Sequence, residues 1–108
     1  METRGTYVAR LLSQYQRLPG TLGRILRNDR RTALALHNRG VPLGIVENAF
    51  VLATARRTFR SDKADRIEPI RALRYFLPVL QEIALAPPEP DYLLYLRRRL
   101  QDAGIRIG

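Results

Sequence analysis

The stretch ALHNRGVPLGIVENAF, residues 35–50, places a glycine and a proline between two segments whose apolar residues recur at helical spacing. Gly40 is typical of the position just past a helix C-terminus, and Pro42 suits the first turn of a new helix. The segment that follows, Leu43 to Arg60, is apolar over more than half of its helical surface. A helix of that kind needs cover from other elements. We therefore expect the two segments to form a helical hairpin whose apolar face belongs to the core.

The turn at Gly40 also resembles the elbow of a DNA-reading helix-turn-helix. In that motif the second helix presents several exposed polar side chains near its start. Here only Glu47 and Asn48 qualify, and DNA phosphates would repel Glu47. The sequence therefore favours the hairpin. If the protein binds DNA, we expect arginines to contact phosphates without a strong sequence preference.

Apolar periodicity predicts helices along the rest of the chain, and signals for β-strands are nearly absent. The first predicted helix is Thr6–Leu18, which Pro19-Gly20 ends, and the second is capped by Asn28 or Asp29 and runs to Asn38. The third is Leu43–Arg60, and the fourth is Pro69–Ala86, with a kink or break at Pro78. The last predicted helix runs from Pro90-Asp91 to Gly104 and turns Tyr92, Leu93, Leu96 and Leu100 inward. The 108 residues suffice for a core without disulfides or metals. We predict an all-α fold, a small irregular bundle of about five helices, in a single domain spanning residues 1–108.

The charge balance points to an anionic partner. The net charge is +9, and every one of the 19 basic residues except Lys63 is arginine. Nucleic acid is the commonest polyanion in a cell, so such a field favours nucleic-acid binding. Codon bias in a GC-rich genome and a need for solubility are the alternative explanations. An acidic protein partner would also suit the charge.

Arginines concentrate in separate clusters, and we take seven of them as candidate phosphate contacts. The candidates are Arg24, Arg27 and Arg31 around the start of the second helix, Arg56 and Arg60 at the end of the third, and Arg97 and Arg98 in the last. The first three are spaced as one helical stripe, which Asp29 would partly neutralise. If the hairpin is antiparallel, the first two clusters merge into one surface. Because three successive helical positions span much of the helix circumference, Arg97 to Arg99 cannot all face one ligand.

Aromatic residues leave two further alternatives open. The segment RALRYF, residues 71–76, mixes arginines with Tyr75 and Phe76, a pattern typical of base stacking on single strands, although Phe76 also fits the core stripe. In the second alternative the protein is an adaptor or subunit that docks on an acidic protein or forms a homodimer. Its surface anchors would be the five tyrosines, namely Tyr7, Tyr15, Tyr75, Tyr92 and Tyr95.

The sequence favours no catalytic or cofactor chemistry. Cysteine is absent, and the lone histidine, His37, has no partner at ligand spacing. The acidic residues Asp62, Asp65 and Glu68 are interspersed with basic ones, so we interpret them as ion-pair partners rather than Mg²⁺ ligands. No apolar run is long enough for a membrane span, and no secretory signal is evident. We therefore expect a cytoplasmic, non-enzymatic protein without cofactor, metal or membrane partner.

Two segments are similar to the DnaD-like C-terminal domain of replication-initiation proteins. RGVPLGIVENAFVLATARR, residues 39–57, resembles the family segment in which a helix begins after a turn. In YLLYLRRRLQDAGIRI, residues 92–107, Tyr92, Leu96 and Leu100 stand at the family's tyrosine, aliphatic and tryptophan positions, and Gly104-Ile105 follows. The resemblance implies a helical domain of replication or mobile-element biology. It also implies a DNA surface formed by Tyr92, Arg97, Arg98 and Arg99.

Overall fold

The computed structural model describes residues 3–60 and 67–107, and their fold is all-α as predicted. The elements are α1 (Arg4–Arg17), α2 (Arg27–Asn38), α3 (Leu43–Thr58), a 3₁₀-helix η1 (Leu73–Phe76), α4 (Leu77–Leu85) and α5 (Pro90–Asp102). The five α-helices match the predicted number. Within the described ranges, no helix has the length and apolar character needed to cross a bilayer.

Helix α3 lies at the centre of the fold. Every residue from 49 to 55 is buried, and the helix packs against α1, α4 and α5. The expected burial is therefore confirmed, but the expected partner is wrong, because α2 packs mainly against α1 rather than against α3. Glu47, near the start of α3, accepts a hydrogen bond from Gln14 Nε2 at 3.0 Å. Helix α3 is thus covered by its neighbours along residues 49–55.

Glycines end two helices at the predicted positions. Gly40 has φ +74° and Gly104 has φ +83°, in the left-handed region that favours glycine. After α2, the N–H of Gly40 donates to His37 O and that of Val41 to Leu36 O, at 2.9 and 3.1 Å. This pair of bonds is a Schellman motif, which satisfies carbonyls that the helix itself leaves free. The same pattern of bonds recurs around Gly104.

The fourth predicted helix begins later than expected. Residues 69–72 are extended, and the N–H of Ile70 donates to Gly20 O at 2.8 Å. Pro78 lies in the first turn of α4, where its missing N–H costs nothing, so the break predicted at this proline is a helix start. Ile70, Leu73 and Phe76 are buried as their spacing predicted. The apolar stripe was therefore correct although its first residues are not helical.

Asp29 joins the start of α2 to the start of η1. Its side chain is 1% exposed, and its carboxylate accepts the N–H of Leu26 at 2.8 Å and that of Leu73 at 2.9 Å. The helix therefore starts earlier than the predicted cap at Asn28 or Asp29: Leu26 is the N-cap, and Asp29 bonds back to its N–H from the first turn of α2. Asp29 faces the interior, and among the described residues it forms no ion pair with an arginine.

The buried Tyr15 makes the fold sensitive to alkaline pH. Burial, assisted by the negative charge of Asp29, raises the pKa of the Tyr15 hydroxyl from 10.0 to about 12. The folded state holds this proton more tightly than the unfolded chain does. The contribution of Tyr15 to the free energy of unfolding is therefore complete below pH 10 and is lost as the pH rises towards 12. Such a shift corresponds to roughly 3 kcal/mol of unfolding free energy.

We expect chemical denaturation at increasing pH to show that loss in the wild-type protein, and Tyr15→Phe to remove it because phenylalanine has no proton to release. If the unfolding free energies of the two proteins decline in parallel, Tyr15 is not the responsible group.

Candidate nucleic-acid interface

Arg57 and Tyr75 form the centre of a basic surface at the C-terminal end of α3. The Arg57 guanidinium lies over the Tyr75 ring, 5.7 Å from its centroid, and donates to Glu68 O at 3.1 Å and to the Tyr75 hydroxyl at 3.4 Å. It also lies against Gly20, where an added Cβ would be 2.9 Å from Arg57 Nη2. Gly20 has φ +87°, so glycine is favoured there by both conformation and space. These contacts hold Arg57 in one position.

Two shallow hollows share Arg57 and Tyr75 as part of their walls. The first has a volume of about 480 Å³ and the second about 550 Å³. Arg56 and Arg60 line the first hollow. Arg71 and Arg74 line the second. We call Arg57, Arg60, Arg71, Arg74 and Tyr75 the Tyr75 surface.

Among the described residues, one acidic residue, Glu68, lines a hollow of the Tyr75 surface. Within residues 3–60 and 67–107, no acidic side chain forms an ion pair with Arg60, Arg71 or Arg74. All three side chains are exposed. Uncompensated guanidinium groups on an open surface attract phosphates and can bind them with two hydrogen bonds at once.

Arg56 is engaged differently from its neighbours. Its guanidinium donates to both carboxylate oxygens of Glu82, at 2.8 and 3.1 Å. This hydrogen-bonded pairing raises the pKa of Arg56 and lowers the pKa of Glu82 from their ordinary values. A phosphate would have to compete with Glu82 for Arg56. Arg60, the other candidate at this end of α3, has no such competitor among the described residues.

A row of aromatic and arginine side chains on α5 leads to the end of α3. The rings of Tyr92 and Tyr95 lie 6.4 Å apart, and both side chains are about half exposed. The Arg99 guanidinium lies 5.9 Å from the Tyr95 ring and 3.9 Å from the Phe59 ring. The prediction that Tyr92 points inward is wrong, because Leu93, Leu96 and Leu100 alone form the buried stripe of α5.

The three successive arginines of α5 diverge, as their helical spacing predicted. Arg97 donates to Ile107 O at 2.6 Å and lies 3.9 Å from a Glu47 carboxylate oxygen. Arg99 stacks on Phe59, and Arg98 is exposed. Arg97 therefore ties the C-terminal segment to α5, which leaves Arg98 and Arg99 as the surface arginines of this cluster.

The remaining predicted candidates lie around the start of α2. Arg24 precedes the helix, and Arg27 and Arg31 share one of its faces; all three are exposed. The bond between Asp29 and the Leu73 N–H brings this end of α2 next to η1, whose residues include Arg74. Helix α2 therefore contacts η1, and the α2–α3 hairpin that was expected to join the two arginine clusters does not form.

Arg57, Arg71 and Arg74 are candidate residues that the list of seven omitted. The alternation of arginine and aromatic residues in RALRYF was the signal for two of them. Among the described residues, no cluster of three or more potential metal ligands occurs, and His37 packs edge-on to Tyr7 with ring centroids 5.1 Å apart. Asp62 and Asp65, which were interpreted as ion-pair partners, lie outside the described residues.

Comparison of the chain with known protein families, with curated proteins and with solved structures gives no match.

Proposed function

We propose that the protein is a non-catalytic nucleic-acid-binding protein that contacts phosphates through arginine side chains. The observation that carries the proposal is the Tyr75 surface, where four arginines and one exposed aromatic ring line two adjoining hollows. The net charge of +9 supports the same class of partner.

The contacts that we propose differ from the original seven candidates. Arg60, Arg71 and Arg74 contact phosphates directly, and Arg57 supports them from its fixed position. Arg24, Arg27 and Arg31 extend the surface along the start of α2, and Arg98 and Arg99 extend it along α5. Arg56 and Arg97 are left out because their guanidinium groups already have carboxylates beside them.

The biological setting that we propose is replication or mobile-element biology in the cytoplasm. This setting is supported by the resemblance of residues 39–57 and 92–107 to the DnaD-like domain. The setting stays a prediction.

Fluorescence anisotropy with a labelled oligonucleotide tests the proposed function. We expect binding at low salt, because phosphate contacts release condensed counterions. The logarithm of the binding constant should fall linearly with the logarithm of the salt concentration, with a slope of roughly −0.9 per phosphate contact on duplex DNA and −0.7 on single strands. No binding of either duplex or single strand at low salt would contradict the proposal.

A second candidate function is that of an adaptor that docks on an acidic protein or on a second copy of the chain. Exposed apolar side chains favour it, since Leu85 at the end of α4 is 81% exposed and Leu94 on α5 is 49% exposed. Among the tyrosines proposed as anchors, Tyr75, Tyr92 and Tyr95 are exposed enough for that role, whereas Tyr7 and Tyr15 are buried and cannot serve.

Sedimentation equilibrium tests whether the chain self-associates. A dimer that the substitutions Leu85→Gln and Leu94→Gln disrupt would favour this function. A monomer at all concentrations would speak against the homodimer.

A further inference from the structure

We propose that the Tyr75 surface binds single-stranded nucleic acid, and that the Tyr75 ring stacks on an unpaired base. The inference rests on the proposed function and adds the class of nucleic acid to it. It combines three features of the surface: the way the ring is held, the hollows that it borders, and the placement of the arginines.

The Tyr75 ring is exposed but held in place from below. Its exposed fraction is 43%. Its neighbour Phe76 is buried, and the two rings meet edge to face with centroids 5.1 Å apart. Arg57 contacts the hydroxyl and lies over the ring, 5.7 Å from its centroid, so the base is proposed to stack on the part of the ring that Arg57 and Phe76 leave open. An aromatic ring fixed in this way loses little conformational entropy when a base stacks on it.

Both hollows open onto Tyr75, and each of them carries arginines. Arg60 lies in the first hollow, and Arg71 and Arg74 lie in the second. A strand that contacts the ring therefore meets guanidinium groups in the hollows that border it. Arginines that follow the backbone, combined with an aromatic platform for the bases, are the two parts of a surface that binds single strands with little sequence preference.

Duplex DNA fits the Tyr75 surface less well. In a duplex each base is paired and stacked, so an aromatic ring reaches it only after unpairing, which costs a few kcal/mol. Helix α3, the candidate for reading a groove, is buried along residues 49–55. The exposed ring of Tyr75 then contributes nothing to duplex binding, whereas it stabilises a complex with unpaired bases.

The test compares three labelled ligands of equal length: oligothymidine, a strand of abasic sites with the same number of phosphates, and a duplex. We expect the wild-type protein to bind oligothymidine more tightly than either of the others. Tyr75→Leu, which keeps an apolar side chain but removes the aromatic ring, should weaken oligothymidine binding by roughly 5- to 150-fold. It should weaken binding of the abasic strand much less, because that strand has no base to stack and is affected only through the lost contacts of Tyr75 with Arg57. Tyr75→Phe should keep oligothymidine binding, since it retains the ring, and thermal unfolding verifies that both variants are folded.

Each other outcome overturns the inference in a distinct way. Equal loss of abasic and oligothymidine binding in Tyr75→Leu would mean that the ring acts only by positioning Arg57. Loss of oligothymidine binding in Tyr75→Phe would assign the effect to the hydroxyl. Tighter binding of the duplex would reject the single-strand preference while leaving the proposed function intact, and absence of binding to all three ligands would reject the proposed function itself.

Discussion

Replacing Asp29 with alanine is expected to lower the free energy of unfolding by about 3–5 kcal/mol. The carboxylate is buried and accepts the backbone N–H groups of Leu26 and Leu73, and Leu73 lies 44 residues from Asp29 along the chain. Hydrogen bonds to a charged acceptor each contribute about 1.5–3 kcal/mol, and without Asp29 both donors would be left without their partner. The start of α2 would also lose its cap, and η1 would lose its connection to α2.

Asp91 provides a matched control for Asp29. Both residues lie in the first turn of a helix, but Asp91 is exposed at the start of α5. Asp91→Ala should cost less than about 1 kcal/mol, because an exposed acidic residue near a helix N-terminus interacts only with the helix dipole. Urea denaturation measures both effects. If Asp29→Ala destabilises the protein no more than Asp91→Ala does, the structural role assigned to Asp29 is contradicted.

Replacing Arg60, Arg71 and Arg74 together with glutamine is expected to weaken single-strand binding by roughly 100-fold at about 0.1 M salt. Each phosphate contact contributes roughly 0.7 to the slope of the salt dependence on single strands, which corresponds to roughly 0.7 decades of affinity at this concentration. Arg57 stays unchanged in this variant because its contacts with Glu68, Tyr75 and Gly20 also hold the fold together. Anisotropy titration with oligothymidine measures the loss.

The control for the triple variant removes the same charge from the other end of the molecule. Arg4, Arg39 and Arg106 are exposed, and contacts of neighbouring residues place them near the start of α3. Arg60 follows the end of this 16-residue helix, which is about 24 Å long. The control variant should retain most of its affinity. An equal loss in both variants would mean that net charge, rather than the Tyr75 surface, determines binding.

Local patterns in the sequence were enough to predict most of the fold. Apolar spacing identified the helices, and glycine and proline identified the ends at Gly40 and Gly104, because helix capping depends on residues close together in the chain. The start of the fourth helix could not be predicted in this way. Residues 69–72 are extended because the Ile70 N–H bonds to Gly20 O and the Leu73 N–H bonds to Asp29, and both partners are distant in sequence.

The candidate interface was harder to predict than the fold, since an arginine's role depends on which carboxylates come near it. Arg56 meets Glu82 and Arg97 meets Glu47, at separations of 26 and 50 residues, and no local pattern signals either pair. Conversely, Arg57 meets Tyr75 only because residues 67–72 run alongside Gly20 and Thr21. The arginine and aromatic alternation in residues 71–76 was the one local indication of this surface.

The salt dependence of oligothymidine binding tests most directly whether Arg60, Arg71 and Arg74 contact phosphates. Relative to the wild-type protein, the slope of the logarithm of the binding constant against the logarithm of salt concentration should become shallower by roughly 2 in their triple glutamine variant. It should stay unchanged in the variant lacking Arg4, Arg39 and Arg106. Identical slopes in the two variants would contradict the assignment of phosphate contacts to the Tyr75 surface.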